Sequence, residues 1–191
     1  MSFLGVAHLV LFTNLLASLL AAFTLLSYLF LYTPLKRITP LCTLIGAVPG
    51  AAPPLIGWAA ARGRLDSEAW MLFAIVFLWQ FPHLMAIAWM YREDYARAGY
   101  AVLPGGKSRV RFVAWQTLLP SLALLAVALV PAIRAESGIA YFAAALVLGG
   151  VFLCYSARFA FQMSTVSARR LLFASILYLP LLLVFLALDK K

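Results

Sequence analysis

Charged residues are scarce in this chain: Asp, Glu, Lys and Arg make up 11% of its 191 residues, and only six are acidic. Hydrophobic residues make up 65% and the mean hydropathy is +1.00. A soluble domain of this size could not hide that much apolar surface, so that class is excluded. Cysteine is nearly absent, with two in all. Cys42 falls at a loop edge and Cys154 inside an apolar run, so they are expected at opposite ends or depths, which argues against a structural disulfide. There is no P-loop, no CxxC pair, no nucleophile triad and no nucleic-acid motif. No small-x-small cleavage site precedes a polar domain, so residues 3–31 read as a first span and not as a removed leader.

What is present is a series of apolar runs of spanning length, for which roughly 20 helical residues suffice. They fall at 3–31, 43–60, 69–90, 112–133, 139–157 and 171–188. The chain is therefore expected to be an all-α, polytopic membrane bundle of about six transmembrane helices, forming a single transmembrane domain over 1–191. The second run contains Gly46, Pro49, Gly50, Pro53, Pro54 and Gly57. It reads as a kinked, closely packed helix, with a re-entrant segment as the alternative.

The net charge of +9 comes from fifteen Lys and Arg residues. In a soluble protein it would point to nucleic acid, but here the basic residues sit in short loops, where anionic headgroups are the expected partner. Lys36, Arg37, Arg92, Arg97, Lys107, Arg109, Arg111, Arg158, Arg169 and Arg170 lie in the segments 32–42, 91–111 and 158–170. The opposite side has Arg62, Arg64, Arg134, Lys190 and Lys191, offset by Asp66, Glu68, Glu136 and Asp189. The positive-inside rule predicts the first set in the cytoplasm and both termini outside. An outward N-terminus without a leader leads to the expectation of further spans upstream.

Two polar patches stand out, YTPLKRITP at 32–40 and YREDYARAG at 91–99. Two apolar runs separate them, so both are expected on one side of the membrane. Lys36 and Arg37 are held between Pro34 and Pro40 and offer a compact charge and a planar fork, suited to phosphate oxygens or to simple anchoring. Glu93 and Asp94 are adjacent, so on a helix they diverge, whereas in a turn they could share Mg2+ with a phosphate. The alternative is a solvated patch with local ion pairs to Arg92 and Arg97. Residues 95–108, with Gly99, Pro104, Gly105 and Gly106, are expected to form a mobile cap.

His83 lies inside the third run in WQFPHLMAIAW, with Trp79 four residues before it, Gln80 three before, and Pro82 expected to open the helix. Its imidazole could ligate iron, act as an acid or base, or hydrogen-bond across helices. His8 lies near the outer end of the first run. Asn14 and Ser18, on one face of that run, read as interhelical hydrogen-bonding groups.

The segments YTPLKRITPLCTLIGAVPGAAPPLIGW, LWQFPHLMAIAW, YREDYARAGYAVLP and ARRLLFASILYLPLL together resemble the protohaem IX farnesyltransferase (haem O synthase) family of the UbiA prenyltransferase superfamily. The resemblance implies a nine-helix membrane enzyme with a cavity open to the cytoplasm, in the bacterial inner membrane. It further implies transfer of farnesyl from farnesyl diphosphate to a vinyl group of haem B, a substrate rather than a cofactor, with Mg2+ at the diphosphate. By resemblance, Lys36, Arg37 and Asp94 are the catalytic residues, with the basic pair on the diphosphate, and Glu93 and Asp94 are the metal ligands. His83, Trp79, Gln80, Arg92 and Arg97 belong with the haem. Tyr91 and Tyr95 stand where the superfamily has further aspartates, and Cys42 replaces an asparagine of the haem branch.

The likeness is expected to cover only the family's C-terminal two-thirds, helices four to nine, without the first aspartate-rich motif. On that basis the isolated chain is expected to be inactive, with an N-terminal portion or a complementary chain as partner. A haem A synthase or a terminal oxidase assembly is a further expected partner. Two other readings stay open: a non-catalytic transporter or haem- or lipid-binding scaffold, and a prenyltransferase for an aromatic quinone precursor.

Overall fold

Inside a bilayer no water satisfies the backbone, so each apolar run has to become a helix or be covered by protein. The computed structural model describes residues 2–106 and 108–189, and Met1, Lys107, Lys190 and Lys191 lie outside the described residues. The three lysines of the charge argument therefore have no structural account. Among the described residues six helices are long and apolar enough to cross a membrane: Leu15–Leu35, Cys42–Arg62, Ser67–Met90, Ser108–Ile133, Ile139–Gln162 and Thr165–Leu188. The all-α, polytopic helical architecture is the observed one.

The chain divides into two compact units, Met1–Phe77 with Tyr100–Val102, and Leu78–Gly99 with Leu103–Lys191. In the first unit the expected 3–31 span is interrupted. Helix α1 (Ser2–Phe12) ends before Asn14, and α2 (Leu15–Leu35) starts after it. Asn14 is extended (φ −158°, ψ 164°) and its side-chain oxygen accepts from the Ala17 N–H at 2.9 Å, an N-cap that starts a new helix. Its amide nitrogen also donates to the Ala59 carbonyl at 2.7 Å, so the expected interhelical bond exists. Ser18 instead donates to the Asn14 carbonyl at 2.9 Å, within its own helix. The last turns of α2 widen to π-helical geometry over Ser27–Tyr32.

The proline-rich span is kinked as expected. Helix α3 (Cys42–Ala51) and helix α4 (Pro53–Arg62) meet at Ala52, whose N–H reaches the Pro49 carbonyl at 3.3 Å. Pro53 and Pro54 have no N–H to give, and the i→i−4 pattern resumes with Ile56 on Ala52 at 3.0 Å. Close packing is visible at Gly46, where an added Cβ would lie 2.5 Å from the Tyr32 ring. Helix α5 (Ser67–Met90) follows and gives its first residues to this unit. It runs unbroken through Pro82, which corrects the expectation that the helix opens there.

The second unit holds the rest of α5, the short α6 (Arg92–Arg97), α7 (Ser108–Ile133), α8 (Ile139–Gln162) and α9 (Thr165–Leu188). Helices α8 and α9 are joined by Met163 in the left-handed region (φ 46°) and by Ser164. Ser164 and Ser167 form a capping box, which begins the helix at Thr165. The expected loop 158–170 is thus a two-residue turn, and Arg158, Arg169 and Arg170 lie on helices. Segment 95–108 likewise begins inside α6 and has its left-handed turns at Gly99 and Gly106.

The core of this unit is aromatic and sparingly polar. Phe152 and Tyr178 stack at 4.9 Å, the Tyr141 hydroxyl donates to the Ala128 carbonyl at 2.7 Å, and the Ser121 and Ser156 hydroxyls pair at 2.8 Å. Asp189, which the sequence places only as a counter-charge, closes the bundle end. Its carboxylate accepts from the Tyr141 N–H at 2.7 Å and its carbonyl from the Gly138 N–H at 3.0 Å. A carboxylate is well placed there, at the positive end of α8.

The contrast between two glycines of the kinked span tests this packing. Gly46→Ala is expected to cost about 1–3 kcal/mol, because it forces the Tyr32 ring aside. Gly57→Ala meets nothing within 4 Å and is expected to be neutral or stabilising by up to about 1 kcal/mol. Thermal unfolding of the two variants in lipid nanodiscs reads the difference, and equal midpoints would contradict the Tyr32 contact.

Candidate functional site

The basic patch forms where α2 ends. The Lys36 N–H still bonds to the Tyr32 carbonyl at 3.0 Å, after which Arg37 and Ile38 turn back onto Pro34 and Leu35 at 3.3 and 2.9 Å. Lys36 is half-buried and Arg37 exposed. The Lys36 ammonium stands 4.9 Å from the centre of the Tyr100 ring, and its carbonyl accepts from the Ala101 N–H at 2.7 Å. Segment 100–102 therefore braces the turn. Neither cation has a carboxylate partner among the described residues. Two adjacent positive charges, one of them oriented over an aromatic face, are free to take an anion.

The acidic patch lies in the other unit, on α6. Glu93 and Asp94 occupy consecutive helical positions, about 100° apart around the axis. Asp94 pairs with Arg97, and Glu93 lies 3.7 Å from Arg92. Arg92 is held further by the Trp89 carbonyl at 2.9 Å and by the Trp89 ring at 5.3 Å. The carboxylate side chains are 82% and 60% exposed, so these pairs contribute at most about 1 kcal/mol each. Among the described residues no group of three or more His, Cys, Asp or Glu could hold a metal ion. Mg2+ requires an octahedral oxygen shell, and two diverging carboxylates, each turned to an arginine, do not fit it as a resident ion.

The third cluster lies in the same unit as the acidic patch and is the most constrained. Trp79 and His83, one turn apart on α5, stack with ring centres at 4.7 Å and an interplanar angle of 24°. Both are fastened to one residue of α9: the Trp79 indole N–H donates to the Ser175 carbonyl at 2.9 Å, and His83 Nδ1 lies 2.7 Å from Ser175 Oγ. Gln80 is buried on the neighbouring turn. His83 is half-buried, and its Nε2 makes no hydrogen bond among the described residues. Such a ring offers one fixed nitrogen and one free nitrogen.

The structure thus joins Trp79 with His83, Asp94 with Arg97, and Lys36 with the segment after the acidic patch. Sequence reasoning missed Ser175 and Tyr100. Ser175 carried a signal, a small hydroxyl in the middle of the most apolar span, but its partner lies 92 residues away.

Among the described residues there are thus six apolar helices of spanning length, with an open basic turn in the first unit and a stacked Trp–His pair in the second. The UbiA prenyltransferase family matches over residues 1–186, and the chain belongs to that family. A protein named protoheme IX farnesyltransferase from Solibacter usitatus is 51% identical over 190 residues, covering 100% of this chain and 65% of the relative. Proteins of the same name from Koribacter versatilis and Cytophaga hutchinsonii are 47% and 40% identical, each over 97% of this chain and over 62% and 65% of their own lengths. The chain therefore spans less than two-thirds of the length of these relatives. The expected restriction of the likeness to a C-terminal two-thirds is corrected, since the match runs along nearly the whole chain. No solved structure matches it.

Trp79→Phe removes the indole N–H while leaving an aromatic ring beside His83. It is expected to destabilise the second unit by about 1–2 kcal/mol, the loss of one buried hydrogen bond and part of the stack. Equilibrium unfolding of the variant checks this, and an unchanged stability would mean that the Ser175 contact holds nothing.

Proposed function

We propose that this chain serves as a protohaem IX farnesyltransferase together with the N-terminal portion or complementary chain expected as its partner. It moves a farnesyl group from farnesyl diphosphate to a vinyl group of haem B, giving haem O. The observation that carries the reading is the 51% identity with a protein of that name over the whole chain. The geometry of the basic turn and of the Trp–His cluster supplies chemistry of the right kind.

In this reading Lys36 and Arg37 bind the diphosphate. Breaking the allylic C–O bond leaves the electron pair on the departing diphosphate and a carbocation on farnesyl, so catalysis depends on stabilising the negative leaving group. The Tyr100 ring and the Ala101 bond hold Lys36 ready, so little reorganisation is needed when charge develops. The vinyl carbon then attacks the cation, and water supplies the hydroxyl and loses a proton. His83 and Trp79, with Gln80 beside them, belong to the tetrapyrrole, as do Arg92 and Arg97 on the adjoining helix. Mg2+ would supply its charge as part of the diphosphate substrate, since Glu93 and Asp94, each turned to an arginine, do not fit a resident ion.

The same reading takes residues 1–191 as one transmembrane domain in a bacterial inner membrane, with the basic turn on the cytoplasmic side. Ten of the fifteen basic residues fall in segments of that side, which supports the orientation. Haem O then passes to a haem A synthase or a terminal oxidase.

Isotope-labelled farnesyl diphosphate, supplied with haem B to membranes containing the chain and that partner, is expected to place label in extracted haem, and membranes with the chain alone are expected to give none. Lys36→Ala is expected to weaken donor binding by at least about tenfold, the loss of one charge-assisted contact. Labelled haem absent from the unaltered chain with its partner would sink the reading, and an unchanged donor affinity in Lys36→Ala would remove Lys36 from the site.

A further inference from the structure

Ser175 has one proton and two close neighbours. Its Oγ lies 2.6 Å from the Leu172 carbonyl and 2.7 Å from His83 Nδ1. A carbonyl oxygen only accepts, so the hydroxyl proton belongs to the Leu172 bond. The lone pairs of Oγ then face His83, and Nδ1 has to be the donor. A neutral imidazole carries hydrogen on one nitrogen only, so Nε2 keeps its lone pair.

The ring cannot easily turn away from this arrangement. Trp79 stacks on it at 4.7 Å and is itself tied to the backbone carbonyl of Ser175 at 2.9 Å. Ser175 is fully buried, whereas His83 is half-buried with Nε2 unoccupied by any hydrogen bond among the described residues. One α9 residue thus fixes both which way the imidazole points and which nitrogen is bare. A metal-binding histidine generally has this kind of orienting partner on its other nitrogen.

We propose that Ser175 is a positioning residue that holds His83 as the Nδ1–H tautomer and presents Nε2 as a free Lewis base to the iron of a tetrapyrrole. The identity of the ligand rests on the proposed function, while the tautomer rests on the geometry alone.

The chain has only two histidines, which makes the tautomer directly readable. Nitrogen NMR of histidine-labelled chain in lipid nanodiscs, with His8→Gln removing the other ring, is expected to show protonated Nδ1 and pyridine-type Nε2 at His83. Ser175→Ala keeps the Trp79 bond, which uses the backbone, but is expected to give a mixture of tautomers, and Ser175→Thr is expected to restore the single form. Protonated Nε2 in the unaltered chain would overturn the proposal, and so would a pure Nδ1–H form persisting in Ser175→Ala.

Titration with iron(III) protoporphyrin IX provides the second arm. The unaltered chain is expected to give the absorption and EPR signature of nitrogen ligation, lost in His83→Ala. In Ser175→Ala its affinity is expected to fall by about tenfold or more, as for other orienting partners. Identical iron spectra with and without His83 would overturn the ligand assignment. Combined with an intact tautomer, that result would locate the failure in the acceptor reading and not in Ser175.

Discussion

Everything in this fold follows from the need of each backbone N–H and C=O to find its partner without water. Helices meet that need locally, and the chain's irregular points are those where helical bonding is interrupted and then repaired. Asn14 caps a new helix with its own side chain and reaches across to Ala59 with the same amide. The Ala52 kink, between Pro49 and Pro53, loses donors and recovers the pattern within one turn. The Met163–Ser164 turn is closed by a capping box. Asp189 meets the start of α8 with a carboxylate and a carbonyl. At Asn14, Ser164 and Asp189 a small polar side chain does what solvent does elsewhere.

The same economy of polar groups shapes the candidate site. With six acidic residues in the whole chain, most cations have no carboxylate to answer them. Lys36 and Arg37 are left open, and Lys36 is oriented by an aromatic ring in place of an anion. Glu93 and Asp94 are instead engaged by Arg92 and Arg97 on their own helix. The basic turn thus keeps its positive charge open, while the acidic patch is neutralised locally. Deeper in the second unit, Ser175 uses its carbonyl for Trp79 and its hydroxyl for His83, so one short residue orients two large rings.

Helical class and the number of spans were legible because apolar length alone decides them. Boundaries were less so, for reasons that can be named. The run 3–31 is continuous in hydropathy, and only the capping chemistry of Asn14 divides it. The arginines at 158, 169 and 170 look like a loop, but arginine is a good helix former and its long side chain reaches the interface from within a helix. The stacked Trp79–His83 pair was foreseeable from its four-residue spacing. The Ser175 clasp and the Asp189 lock were not, because their partners lie 92 and 48 residues away and no periodicity marks them. Pro82 was misread for a related reason: loss of one N–H is tolerated in packed surroundings, and the Pro82 side chain is fully buried.

In the proposed function the basic turn receives a diphosphate and His83 faces the iron of the acceptor. A structure of the protein in lipid, bound to a non-hydrolysable farnesyl diphosphate analogue and to iron protoporphyrin IX, tests it most directly. Diphosphate oxygens on Lys36 and Arg37, with the iron bonded to His83 Nε2, are the expected result. A diphosphate seated elsewhere, with the Lys36 ammonium still resting on Tyr100 and His83 Nε2 bare, would contradict it.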